Sequence, residues 1–186
     1  MDPENPFDAI NRLEPIAARP MKGPKTEKSF VEVVQELHNW LPSEIIGALQ
    51  VSKEAGHDVD NMARSLSQIV TTLRGERKSN LAIRRWFSSA QLKMPDGQLI
   101  YLSTVVKTAG DLIMISKRLQ ELGELRREKT EDFGTQKGKR QERVAAALDR
   151  VDERAVSLTL RRDSRARDFE QLLKMVADYI TVGRGI

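Results

Sequence analysis

Few residues of this 186-residue chain could do bond chemistry. The histidines, His38 and His57, have the ring nitrogens of a general base or a metal ligand. His38 stands beside Trp40 in a helical pattern and His57 follows Gly56 in a turn, so a surface histidine and a helix C-terminal residue are the simpler readings. The carboxylate pairs Asp58/Asp60 and Glu131/Asp132 fall at helix starts or in loops, where capping explains them. Cysteine is absent, which removes disulfides, thiolate metal sites and a cysteine nucleophile. The chain carries no G-x-x-x-x-G-K-[ST], no G-x-G-x-x-G after a strand, no H-E-x-x-H and no G-x-S-x-G. A non-enzyme is expected, with no catalytic residue, metal site or cofactor.

Two basic clusters offer electrostatic chemistry instead. Arg74, Arg77, Lys78, Arg84 and Arg85 set five positive charges against Glu76, around a helix start whose free N–H groups suit a phosphate backbone. Trp86 and Phe87 follow Ile83 at helical spacing, which favours core over a base-stacking platform. Lys137, Lys139, Arg140 and Arg143 form the second cluster, at the start of the last helix. Positive charge there opposes the helix dipole, so stability alone disfavours it and binding gains weight. Asn61, Arg64, Ser65 and Gln68 are base-reading types on a segment that could be the second helix of a helix-turn-helix, although Asp60 makes its start acidic.

The charge distribution sharpens these readings. The chain has 31 Lys plus Arg against 27 Asp plus Glu, a net charge of +4. Residues 1–125 hold 16 of each sign, residues 126–167 hold 13 basic and 8 acidic, and residues 168–186 hold 2 and 3. The excess therefore sits in the middle of the C-terminal third. Clustered cations attract polyanions by releasing counterions, while interleaved Glu and Asp fit a solvated helix face equally well. No apolar run approaches the roughly 18 residues of a membrane span, and the acidic, Pro-rich start is unlike a signal peptide. A soluble cytoplasmic protein without membrane contact is expected, virion-associated or inside a host cell if the chain is viral.

The positioning elements are helical almost throughout, so the expected class is all-α. Residues 1–28 hold five of the seven prolines and form a flexible arm, in which Phe7, Ile10 and Leu13 could dock on a protein partner. Residues 29–90 form a helical N-terminal unit. Ser29 and Glu32 have capping-box spacing, and Phe30, Val33, Val34, Leu37 and Leu41 follow before Pro42. A second helix carries Ile45, Ile46 and Leu49, and a third carries Met62, Leu66, Ile69, Val70 and Leu73; a fourth segment spans 79–90. These short helices are expected to bury their apolar faces against one another. Pro95-Asp96-Gly97 is turn chemistry, and a short β-hairpin is expected within the connector 91–102.

Residues 103–180 form a long-helix oligomerisation region, followed by a tail at 181–186. A helix over 103–127 has an apolar face broad enough to be packed on two sides, and the polar interval 130–139 reads as a loop. In the last helix, alternating steps of four and three give Val144, Leu148, Val151, Ala155, Leu158, Arg162, Arg165, Phe169, Leu172, Val176 and Tyr179. Such a heptad seam needs a partner along its length: the 103–127 helix in an antiparallel hairpin, another subunit, or both. Arg162 and Arg165 mark either a break or solvated gap, the favoured reading, or an interface that accepts an anion.

In organisation, residues 29–180 resemble the small terminase subunits of tailed bacteriophages: a small N-terminal helical unit, then a long helical oligomerisation region, in a basic, cysteine-free chain. The resemblance implies a ring that recognises viral DNA and regulates a packaging motor. It also implies that Arg64, Arg74, Arg77, Lys78, Arg84 and Arg85 contact DNA, and that the seam from Val144 to Tyr179 assembles the ring. The expectation is a homo-oligomer that binds DNA or RNA. The alternative is a helical scaffold or adaptor whose charges only keep its long helices in solution.

Overall fold

Ser29 starts the first helix as its spacing requires. The Ser29 N–H donates to the Glu32 carboxylate at 2.8 Å and the Glu32 N–H donates back to the Ser29 hydroxyl, so two free backbone donors are satisfied reciprocally. The computed structural model describes residues 28–182. Phe7, Ile10 and Leu13 of the Pro-rich arm lie outside the described residues, as do the last four of the tail.

Helix α1 (Phe30–His38) buries Val34 and Leu37 and gives way at Pro42 to α2 (Ser43–Glu54), which buries Ile45, Ile46, Ala48 and Leu49. Helix α3 (Asp60–Gly75) buries the whole expected stripe, Met62, Leu66, Ile69, Val70 and Leu73. In α4 (Asn80–Ser89) the Ser79 hydroxyl accepts from the Ala82 N–H at 3.2 Å, and Ile83 and Phe87 turn inward. Trp86 meets Phe87 edge-on and packs against the core.

The turn forms as its residues dictate. Strands β1 (Gln91–Lys93) and β2 (Leu99–Tyr101) pair antiparallel, with Leu92 opposite Ile100. Gly97 takes φ +86° between them, and the Asp96 carboxylate accepts from the Gln98 N–H at 2.9 Å. The Leu102 N–H then donates to the Ala90 carbonyl at 3.0 Å, running β2 directly into a helix.

That helix, α5 (Leu102–Thr135), and α6 (Lys139–Val182) have 34 and 44 residues, and they pack on each other as an antiparallel hairpin. At 1.5 Å per residue they reach roughly 51 and 66 Å. The loop expected over 130–139 shrinks to Gln136, Lys137 and Gly138, with Gly138 at φ +59°. Its polar residues include Lys, Gln and Glu, which are good helix formers. The Thr130 hydroxyl also donates to the Arg126 carbonyl one turn back, inside the helix.

The short helices do not bury their faces only against one another. Helices α2 and α4 pack on α5, and α3 packs on α6. Gly47 lets α2 approach closely, since a Cβ there would stand 2.7 Å from Ile113 Cδ1. A single core results, in which Leu102, Val105, Ala109 and Leu112 of α5 meet Ala166, Phe169, Leu173, Val176 and Ile180 of α6, together with the buried residues of α1–α4 and the hairpin. Along the long hairpin this core stops at Leu112 and Ala166. Past a groove where Val51 and Ala55 of α2 still border Ile113, Leu119 and Arg162, the hairpin projects as a two-helix arm; Leu119, Leu122, Val144, Leu148, Ala155 and Leu158 are half-buried along it, and Ile115 and Val151 are buried.

Helix α6 runs unbroken through Arg162 and Arg165, contrary to the expected break. The seam absorbs them by changing step. It runs through Val144, Leu148, Val151, Ala155, Leu158 and Arg162 as expected, then takes a second step of four to Ala166 before Phe169, Leu173, Val176 and Ile180. Two successive fours and the three that follows make an eleven-residue repeat, which matches a straight helix more closely than a heptad does. Phe169 and Val176 keep their places, whereas Leu172 and Tyr179 are half-buried flanks and Leu173 and Ile180 take the seam.

Candidate nucleic-acid interface

The first basic cluster is divided by the fold among three places. On α3, Arg64, Ser67, Thr71 and Arg74 share one stripe, and the last three line a groove with Asn39 and Trp40. Arg74 holds its guanidinium 4.6 Å from the Trp40 ring centroid, a cation–π contact. On α4, Arg84 donates to the His38 carbonyl at 3.2 Å, serving the C-terminal end of α1. Arg84 and Arg85 line a second groove, beside His38, Ser43 and Glu44.

Between them, Arg77 stands at the end of α3. Its N–H donates to the Arg74 carbonyl at 2.8 Å and the Lys78 N–H reaches back to the Leu73 carbonyl at 3.3 Å, a reversal that places Arg77 at φ +60°. That left-handed position is normally glycine. Lys78 pairs with Glu76 at 3.0 Å. Arg64, Arg77 and Arg85 are exposed and have no acidic partner among the described residues.

The second cluster stays together. Lys137 and Lys139 flank Gly138 at the tip of the arm, and Arg140 and Arg143 occupy the first turns of α6. All four are exposed, and none is ion-paired among the described residues. Glu142 is the acid of that first turn. The 27 residues from Gly138 to Arg165 set the tip roughly 40 Å from the core. The two clusters therefore do not form one patch within a chain.

Several other polar residues serve the fold. Asn61 donates to the Glu170 carboxylate at 3.1 Å and Gln68 donates to the Thr181 hydroxyl, so both face α6 rather than a groove of DNA. Arg162 pairs with Asp163 at 3.2 Å, and Arg165 reaches Asp168 at 3.5 Å and Asp111 at 3.8 Å. The acids that accompany these seam arginines occupy the place an external anion would take.

His38 is exposed, and His57 lies with Nε2 3.1 Å from Asp163 Oδ1. Further along the arm, Arg126 meets Asp152 at 2.7 Å, and this hydrogen bond and the carboxylate charge raise the guanidinium pKa above its usual value. Among the described residues no three His, Asp or Glu side chains converge as metal ligands would, and no helix is long and apolar enough to cross a membrane.

Arg150, Arg154 and Arg161, which the basic clusters of the sequence do not include, are exposed on α6 beyond the tip cluster. Their spacing of four and seven repeats the helix period and was the signal available. Compared with known proteins, the chain matches no family model, no curated protein and no solved structure.

Proposed function

We propose that this protein is a non-enzymatic, oligomeric nucleic-acid-binding protein that meets the phosphate backbone with the tip of its α5–α6 arm. The observation that carries the reading is the set Lys137, Lys139, Arg140 and Arg143, exposed and without an ionic partner among the described residues. The free N–H groups of a helix start add to the attraction for an anion. Contacts of this kind are to phosphate, so they give affinity and orientation rather than sequence preference. Arg64, Arg77 and Arg85 supply a second set of contacts on the globular end. Arg77 supports this role, because an arginine stands at φ +60°, where glycine would relieve the backbone. Genome packaging or nucleoprotein formation, as the likeness to small terminase subunits implies, is the setting in which such binding serves.

Titration of duplex DNA and single-stranded RNA across salt concentrations tests the reading. Charge reversal of the four tip residues should lower the logarithmic salt slope by about 3–4 for duplex DNA, near 0.9 per lost phosphate contact. No binding of either nucleic acid at low salt would overturn it. The scaffold reading would then stand, favoured by the half-buried distal seam.

A further inference from the structure

The projecting arm carries two stripes of opposite charge left uncompensated by ion pairs. On α5, Glu121, Glu124, Glu128 and Glu131 follow at steps of three, four and three, which places them on one stripe. All four are exposed, and none has an ion-pair partner among the described residues. They border a shallow groove that also contains Leu125 and Arg127. On α6, Arg150, Arg154 and Arg161 follow at four and seven, again on one stripe, exposed and without an ion pair among the described residues. Like charges three and four residues apart destabilise a lone helix. The glutamate stripe and the pair Arg150/Arg154 are thus a cost to the single chain that an opposite surface would offset.

The two stripes also match in level. Arg126 meets Asp152 and Asp111 meets Arg165 across the hairpin. Glu121 therefore lies near the level of Val156, and Glu131 near that of Ala146. The glutamates and the pair Arg150 and Arg154 occupy the same section of the arm. This is the section beyond the core, where the apolar seam is half-buried apart from Val151.

We propose that the stripes are two halves of an arm-to-arm interface between copies of this chain, the glutamate ridge of one arm receiving Arg150, Arg154 and Arg161 of another. The arginine stems would lie over Leu125 while their guanidinium groups meet the carboxylates. A second copy is the occupant that fits, because both halves of the complementary pair lie on one chain, with Arg154 near the level of Glu124 and Arg150 near that of Glu128. A polyanion would use the arginines alone and a basic protein the glutamates alone. The interface rests on the oligomeric part of the proposed function and does not depend on nucleic acid.

Sedimentation velocity on the nuclease-treated full chain, at low and high salt, is the test. The native protein should self-associate, less so at high salt. The variants E121R/E124R/E128R and R150E/R154E/R161E should each weaken self-association by about tenfold or more, and their equimolar mixture should restore it through the heteromeric contact. Circular dichroism checks that each variant is folded. If either is not, E124Q/E128Q and R150Q/R154Q should weaken association with the helices intact. A native chain that stays monomeric at high micromolar concentration, variants that assemble like the native chain, or a mixture that fails to assemble would each overturn the interface. The tip residues Lys137 and Lys139 are untouched throughout, so a native chain that assembles as expected yet binds no nucleic acid counts against the tip reading alone.

Discussion

Arg74, Arg77 and Arg84 lie within eleven residues of one another, yet each guanidinium or backbone meets a different demand. Arg74 covers Trp40, Arg84 serves the end of α1, and Arg77 closes α3 from a left-handed backbone position. The Cβ of an L-residue is crowded in that conformation, at roughly 1–2 kcal/mol, and glycine escapes the crowding while losing more chain entropy on folding. Arg77→Gly should therefore raise stability by about 1 kcal/mol in urea unfolding. The same variant should bind duplex DNA more weakly at low salt. A loss of stability would mean that the Arg77 side chain makes a contact worth more than the backbone relief. Side-chain type was legible in the sequence here, and backbone conformation was not, because the Arg74-Gly75-Glu76 run offers Gly75 as the more obvious helix terminator.

At the scale of elements, α6 is one helix with two environments. From Ala166 to Ile180 it lies in the common core, with Phe169 fully buried. Along the arm it has solvent on its outer side, and Leu160 is 66% exposed. Phe169→Ala should cost about 3–5 kcal/mol, through lost burial and an unfilled cavity. Leu160→Ala should change stability by no more than about 0.5 kcal/mol in the isolated chain. Chemical denaturation of both variants checks the contrast. The heptad pattern identified the arm half of the seam and, in the core half, Phe169 and Val176 but not Ala166, Leu173 and Ile180. Leucines stand at both Leu172 and Leu173, and Tyr179 is followed by Ile180, so the sequence offers two registers. Packing α3 and α5 against the helix selects one. Asn61 and Gln68 show the same limit, since base-reading side chains and helix-bridging side chains are the same residue types.

As a whole, the molecule is a globular end with a projecting hairpin. A compact chain of this length would have a radius of gyration of about 16 Å. Small-angle scattering of the monomeric chain at high salt should give a larger value, with an elongated pair-distance profile; a value near the compact one would mean that the arm folds back. The sequence by itself determined the all-α class, the capped start at Ser29, the tight hairpin at Pro95 to Gly97 and the inward stripe of α3. Each follows from local spacing, caps and turn chemistry, which act within a few residues. Only the tertiary structure decided that α6 passes Arg162 unbroken, that one core joins α1–α4 to the long hairpin, and which arginines remain without partners. Those outcomes depend on residues far apart in the chain, such as Asp111 with Arg165 and Asn61 with Glu170, whose meeting no local pattern encodes.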